Sequence, residues 1–267
     1  MASELCGYHG RYLLIDLSQR RCFRRPLRVD VLRRYVGGVG LGTWLLMQHT
    51  PPRCTPENPD APLAVAFSPL VGTPLTTSAK LAVLCPSPLT GRLNDALASS
   101  HFALAGKRTG HDAFVLRGRA SRPSVVLIEP SGIRLEDAGD LLGLSSAETE
   151  AAVRDRWGSE WQVAAIGLAG ENGVRYATLS HDGRHAGRGG TGTFLGAKNV
   201  KAIAVRGDAR TPLFDRGAVL RLSRELSARS LGDATAKYRE LGTVSNLVTF
   251  NRLGVLPTAG FQRTTFA

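Results

Sequence analysis

Along most of this chain the apolar residues fall in short runs bounded by turn formers, a pattern that predicts β-strands. The first run, Gly10 to Ser18, is rich in aliphatic and aromatic residues, and Cys22 to Arg28 reads as its hairpin partner. Further strands are expected at Leu63–Phe67, Ala79–Cys85, Ala113–Leu116, Val125–Glu129, Ile133–Glu136, Gln162–Ile166, Arg175–Leu179 and Lys201–Val205. Helices interrupt this series. Asp30 reads as the N-cap of a helix over Val31–Val36 that stops at Gly37-Gly38, and a second helix over Leu41–Gln48 ends before Pro51-Pro52. Ala98–Arg108 reads as a short helix, and Ser145 with Glu148 has capping-box spacing ahead of Ala151, Val153 and Trp157. Beyond Pro212 the period changes. Val219, Leu222 and Leu226 recur at helical spacing, and Leu241–Asn251 continues in that manner. A mixed, sheet-rich region over residues 1–210 therefore leads into the beginning of a helical region over 211–267. The one internal echo is Ser68-Pro69-Leu70-Val71-Gly72 and Ser87-Pro88-Leu89-Thr90-Gly91, two turn sequences too short to establish a duplication.

The stretch from Asp182 to Asn199 departs most from ordinary patterning. Five glycines between residues 187 and 196 are interleaved with arginine and threonine. Glycine permits positive φ and close backbone approach, so exposed amides, hydroxyls and guanidinium groups here suit an anion such as a phosphate or pyrophosphate. The competing reading is a tight chain reversal and nothing more. His181 and His185 stand four apart, but Asp182-Gly183-Arg184 between them reads as a turn, so a helical metal pair is not expected.

Composition narrows the classes. The 267 residues are 43% apolar and 21% charged, ordinary for a globular protein with a sizeable core. No apolar run reaches the roughly 20 residues that span a bilayer and no signal-peptide pattern opens the chain, so a cytoplasmic protein is expected. The net charge of +12 is concentrated at Arg20, Arg21, Arg24, Arg25, Arg28, Arg33 and Arg34. This cluster lacks the interleaved aromatics that stack bases, so a solvated basic face is expected and no nucleic-acid partner. Cys6, Cys22, Cys54 and Cys85 are too far apart for a zinc ribbon or an iron–sulfur run.

In their order and spacing, the motifs resemble the N-terminal region of the tungsten-containing aldehyde ferredoxin oxidoreductase family. The resemblance rests on Gly10-Arg11 with Asp16-Leu17-Ser18, Gly37-Gly38-Val39-Gly40-Leu41, the two Ser-Pro-Leu turns, Gly106-Lys107 with Gly110-His111-Asp112-Ala113, Gly167-Leu168-Ala169-Gly170-Glu171-Asn172, the glycine run, and Lys198-Asn199-Val200-Lys201-Ala202-Ile203-Ala204-Val205. It implies an α+β fold in which two β-sheets with peripheral helices form a bis-pterin cofactor-binding domain, followed by the start of a helical domain. It also implies an enzyme that oxidises an aldehyde to a carboxylic acid at a tungsten or molybdenum centre held by a bis-molybdopterin. Electrons then pass through a [4Fe-4S] cluster to ferredoxin or another carrier.

The same resemblance implies the cofactor-binding residues. Arg188, in Ala186-Gly187-Arg188-Gly189, matches the family's pterin motif most directly, with Asp182, Gly183, Arg184, His185, Ala186, Gly187 and Gly189 as neighbours. Lys80 aligns where arginine is common, and a lysine keeps the charge but loses the two-point fork. Ser99 and Ser100 fall where the family has an Asn-Ser-Gly-Gly pattern, and Val39 where arginine is frequent. The chain is one residue short between Gly183 and Ala186, which leaves the Arg184/His185 correspondence open. After Gly260-Phe261-Gln262 the family continues toward cluster cysteines and catalytic helices, whereas this chain stops at Ala267. The expectation is a truncated product or half of a split enzyme, incomplete alone, with a separate C-terminal helical subunit as one source of the rest.

Two other classes compete. Gly187-x-Gly189-x-x-Gly192 with Asp208 matches the dinucleotide fingerprint and suggests an NAD-binding dehydrogenase domain, although too few residues follow Gly192 for an ordinary crossover helix. A noncatalytic basic binding module is the other, resting on charge alone.

Overall fold

The computed structural model describes residues 5–266, and the chain divides into two units, Met1–Thr73 with Thr77–Asp215, and Pro74–Thr76 with Arg216–Ala267. In the first unit a hairpin, β1 (Arg11–Asp16) and β2 (Arg21–Pro26), is followed by α1 (Val29–Tyr35) and α2 (Gly38–His49). Strands β3 (Leu63–Phe67), β4 (Lys80–Pro86) and β5 (Leu93–Ser99) come next, then α3 (His101–Arg108) and β6 (Ala113–Arg117). A second series repeats that plan. It consists of the hairpin β7 (Ser124–Glu129) and β8 (Gly132–Asp137), helix α4 (Ser146–Trp157), strand β9 (Gln162–Ala165), the short α5 (Leu168–Glu171), strands β10 (Leu179–His181) and β11 (Arg184–Ala186), helix α6 (Thr191–Ala197) and strand β12 (Val200–Val205).

The two six-stranded sheets have the orders β2-β1-β6-β3-β4-β5 and β8-β7-β12-β9-β10-β11, so each strand of the first matches the strand numbered six higher in the second. Their pairings match too. The pairs β1–β6 and β7–β12 are parallel, and the other neighbours run antiparallel. The unit is thus a tandem of two like-folded halves. The Ser-Pro-Leu echo plays no part in this, because one copy lies after β3 and the other joins β4 to β5, positions that the offset does not relate.

The inner faces of the sheets share one core. Leu13, Ile15, Val65, Phe67, Val83 and Phe114 of the first sheet meet Val126, Ile128, Ala164, Ile203 and Val205 of the second. Helices α3 and α6 contribute Phe102, Ala103, Phe194 and Leu195 to this core. The outer face of the first sheet is covered by α1 and α2 through Leu32, Leu41 and Leu45, and that of the second by α4 through Val153 beside Trp161. Burying one such aliphatic side chain contributes about 1.5–3 kcal/mol, so three clusters of this size account for a stable unit. Buried ion pairs tie the layers. Lys107 Nζ donates to Asp112 Oδ1 at 2.5 Å and to the Gly7 carbonyl at 3.1 Å, while Asp112 accepts the His9 and Gly10 amides, fixing the N-terminal loop to α3.

Most expected elements are present, and the differences have physical causes. Helix α1 starts at Val29, so Asp30 is not its cap; its carboxylate instead accepts from Arg28 Nε at 2.9 Å. Helix α2 begins three residues before Leu41, directly after Gly37. Residues 98 and 99 are strand, not helix: Ser100 breaks the chain and caps α3 by accepting the Phe102 amide at 3.1 Å. Arg175–Ala177 is a turn, closed by the Ala177 amide on the Val174 carbonyl, and the strand begins only at Leu179. The Ser145–Glu148 capping box is formed in both directions.

In the second unit, α7 (Arg216–Ser230), α8 (Asp233–Leu241) and α9 (Leu247–Arg252) come one after another, with Ser223 Oγ donating to the Pro74 carbonyl at 2.5 Å. The helical run expected across Leu241–Asn251 is broken at Gly242, which has φ +60°. Leu222, Leu226, Leu241, Leu247 and Phe250 are exposed.

Candidate functional site

The two halves place equivalent elements side by side at one seam, where the edge strand β5 of one sheet lies against the edge strand β11 of the other. The chain leaves both strands in an equivalent way: Ser99-Ser100 leads into α3, and Gly187 to Gly190 leads into α6.

The hairpin β10–β11 turns at Asp182-Gly183, both with positive φ, as a two-residue turn between strands requires. The Asp182 carboxylate holds this turn in place. It accepts from Arg154 at 3.1 Å and from the Phe102 amide at 3.4 Å, while the Asp182 amide donates to Glu150 at 3.2 Å. Burial raises the Glu150 pKa above the ordinary glutamate value. His185 donates to or accepts from Ser180 at 2.8 Å, and His101 stands 3.9 Å from Asp182. His181, fully buried and stacked on Phe102, has no hydrogen-bond partner on either ring nitrogen; burial pulls its pKa down to about 4.

Two hollows of about 370 Å³ each line the seam. One is bounded by Ala79, Ser99, Ser100, His101, Leu104, Asp182 and Arg184. Gly187, Arg188, Asp95, Ala96 and Leu97 bound the other. The expected site residues Ser99, Ser100, Asp182, Arg184, Gly187 and Arg188 are therefore gathered on two adjoining surfaces. Lys80, exposed at the start of β4, is paired in register with Ser99. Gly183 and His185 are exposed at the hairpin, Ala186 is buried in the shared core, and Gly189 faces protein.

The glycine run separates into two parts by what a side chain would meet. Around Gly183 there is open space, and a Cβ at Gly187 would make only ordinary contacts. At Gly189, Gly190 and Gly192 a Cβ would overlap the Asn94 carboxamide, the Arg175 carbonyl and the Thr178 carbonyl. Only the first part of the run faces outward; the rest serves close packing. Arg184 and Arg188 are exposed, and neither forms an ion pair with a carboxylate among the described residues, so both forks are available to an oxyanion. These donors, with open backbone at Gly183 and Gly187 and the Ser99 and Ser100 hydroxyls, fit the phosphate-bearing end of a pterin. Asp95 brings an opposing charge to the Arg188 hollow.

Sequence reasoning missed the residues that hold this surface. Asn94 donates to the Arg188 carbonyl at 2.8 Å, and Ser87 donates to the Gly189 carbonyl at 2.7 Å. Arg154 and Glu150, one turn apart on α4, both hold Asp182, a partnership that their spacing alone could not assign.

The fingerprint Gly187-x-Gly189-x-x-Gly192 does come after a strand and enter a helix. Yet β11 pairs antiparallel with β10, β10 with β9 and β9 with β12, so β11 and β12 point in opposite directions. A dinucleotide fold needs a parallel crossover at this place, which excludes the NAD-binding arrangement. The basic cluster also has a structural use: Arg20 donates to the Leu135 carbonyl and Arg24 to the Pro130 and Ser131 carbonyls, stitching the β2 and β8 edges at the opposite seam. Among the described residues no three His, Cys, Asp or Glu side chains are grouped to hold a metal ion, and no helix is long and apolar enough to cross a membrane.

Residues 12–207 match the family described as aldehyde ferredoxin oxidoreductase, N-terminal domain. The chain is 35% identical over 263 residues to the tungsten-containing aldehyde ferredoxin oxidoreductase of Pyrococcus furiosus, covering 96% of this chain and 43% of that protein. It is 33% identical over 267 residues to the enzyme of the same name from Thermococcus kodakarensis, covering 97% of this chain and 44% of the relative. A more distant relative, the WOR-like subunit of an aliphatic sulfonate oxidoreductase of Pyrococcus furiosus, is 28% identical over 255 residues, 89% of this chain and 40% of that one. Among solved structures, the active site complex BamBC of benzoyl coenzyme A reductase with 1,5-dienoyl-CoA superposes with a TM-score of 0.79 at 26% identity, covering 94% of this chain and 36% of the other. The chain thus spans less than half the length of the curated relatives it matches.

Proposed function

The chain belongs to the aldehyde ferredoxin oxidoreductase N-terminal domain family, and from that premise we propose that its β5/β11 seam holds a tungsten- or molybdenum-bearing bis-molybdopterin within an aldehyde-oxidising enzyme. The observation that carries this reading is that Arg184, Ser99 and Ser100 line one hollow of the seam and Arg188 the other, with Ser99-Ser100 and Arg188 following equivalent edge strands of two like-folded halves. Residues 1–210 are the pterin-binding part and 211–267 the beginning of a helical part.

Arg188 grips a phosphate or ring carbonyl through its two-point fork, and Arg184 supplies a second cation on the neighbouring surface. The Ser99 and Ser100 hydroxyls and the open backbone at Gly183 and Gly187 complete the cradle. Lys80, across the β4–β5 ladder from Ser99, adds a point charge where a fork would be stronger. Asp182, held by Arg154 and the Phe102 amide, lines the same hollow as Arg184 and sets the angle of the hairpin that presents it. His185 and Ala186 continue the strand that carries the hairpin to Gly187, and Gly189 ends the cradle.

When bound, the metal dithiolene supplies a two-electron step in which water oxygen is added to the aldehyde carbon, giving a carboxylic acid, two protons and two electrons. In the family enzyme a [4Fe-4S] cluster would supply the electron path toward ferredoxin or another carrier. Cys6, Cys22, Cys54 and Cys85 are free, and among the described residues no three His, Cys, Asp or Glu side chains are grouped to hold a metal.

The test is metal and pterin content of the chain isolated from tungstate-grown cells. Arg188→Ala lowers both at least about tenfold, in keeping with loss of a charge-assisted pair. Arg21→Ala, on the far edge strand, leaves them at the parental level; equal effects from the two substitutions would sink the assignment.

A further inference from the structure

We infer that Asn94 and Ser87 form a lock that fixes the Arg188–Gly189 peptide and so sets the direction of the Arg188 fork; they are positioning residues, and the inference rests on the seam reading above. Arg188 makes no side-chain hydrogen bond or ion pair among the described residues, and its long side chain begins on a backbone with glycines at 187, 189 and 190. Such a segment on its own samples many directions, because glycine loses more conformational freedom on ordering than any other residue. Two hydrogen bonds from the first half remove that freedom: Asn94 Nδ2 to the Arg188 carbonyl at 2.8 Å, and Ser87 Oγ to the next carbonyl, Gly189, at 2.7 Å.

Both donors are buried, Asn94 at 8% exposure and Ser87 at 1%. A buried donor left without an acceptor is costly, so each bond holds the loop against the sheet edge. Ser87 Oγ also accepts the Leu89 and Thr90 amides, which makes the β4–β5 turn rigid before it reaches across. The fit is close enough that Gly189 admits no Cβ against the Asn94 carboxamide. Asn94 does not line the Arg188 hollow; its neighbours Asp95, Ala96 and Leu97 do. It therefore acts on a bound anion only through Arg188. In effect the first half of the tandem aims the cation supplied by the second.

Asn94→Asp keeps the shape and removes the donated hydrogen, and Ser87→Ala removes the other donor. Each variant of the full chain, made in tungstate-grown cells, is compared with Arg188→Ala and with the double variants for tungsten and pterin per chain. Hydrogen exchange over residues 184–192 is measured on the metal-free protein. The lock predicts a roughly tenfold loss of both groups for Asn94→Asp, no further loss when Arg188 is already Ala, and faster exchange of the segment. If Asn94→Asp lowers retention by the same factor with or without Arg188, or keeps it while Arg188→Ala loses it, the lock is wrong and the seam reading stands. Unchanged exchange in both Asn94→Asp and Ser87→Ala also overturns the lock. Parental retention in Arg188→Ala overturns the seam reading itself, and exchange then decides the lock as a structural device alone.

Discussion

Gly189, where the proposed cradle ends, is also constrained by its packing. Its φ of +71° is a backbone region that L side chains rarely adopt, and its missing Cβ makes room for Asn94. Gly189→Ala should destabilise the protein by about 2 kcal/mol or more, adding backbone strain to an overlap that must displace a buried carboxamide. Thermal melting checks this, with Gly183→Ala as comparison: that site shares the positive φ but has open space, so its loss is confined to strain. The sequence marked the run as unusual without distinguishing its two parts, because spacing says nothing about what lies opposite each glycine. The motif singled out Arg188, which is exposed beside one of the hollows. Asn94 and Ser87 were not singled out, since their partners are backbone carbonyls more than ninety residues away.

Among the elements, β5 drew no strand expectation, and its last two residues read as the start of a helix, for a reason that can be stated. Its large residues, Leu93 and Leu97, are exposed, while Asn94, Ala96 and Ala98 face inward. Alternation is present but inverted, because the inner side of β5 meets the opposite sheet's edge strand and has space only for small side chains. A rule that places large apolar residues inside therefore fails at the strand that lines the candidate site, and succeeds at β3 and β12, buried along their whole length. Helix α6 was missed because glycine and threonine depress helix propensity; burial of Phe194 and Leu195 overrides that preference. The latch between α3 and the N-terminal loop is a further element-scale device. Asp112→Ala leaves the Lys107 ammonium buried without its carboxylate and frees the His9 and Gly10 amides, so a loss of about 3–5 kcal/mol is expected in denaturant unfolding.

For the whole molecule, two deeply buried imidazoles contribute to acid sensitivity, beside His9 and His49, whose pKa values burial also lowers. Burial lowers the His181 pKa from 6.5 to about 4, and His111 falls likewise to about 4, by burial first and then through Arg11 and Arg24. Both rings are neutral when folded and take up protons near 6.5 once unfolded, so the unfolded chain binds more protons across this window. Stability is complete above about pH 6.5 and declines as pH falls toward 4, by up to about 3 kcal/mol for each ring. Melting temperatures between pH 7 and pH 4 should trace that decline, and His181→Leu should flatten part of it; a slope unaffected by this change would show that the buried ring does not titrate with unfolding. At the same scale, each sheet is assembled from one uninterrupted stretch of chain, residues 11–117 for the first and 124–205 for the second. Neither half lends a strand to the other. During synthesis the earlier half can complete its hydrogen-bonded ladder while its twin is still inside the ribosome, so the nascent protein never has to hold an unfinished sheet open for a distant strand.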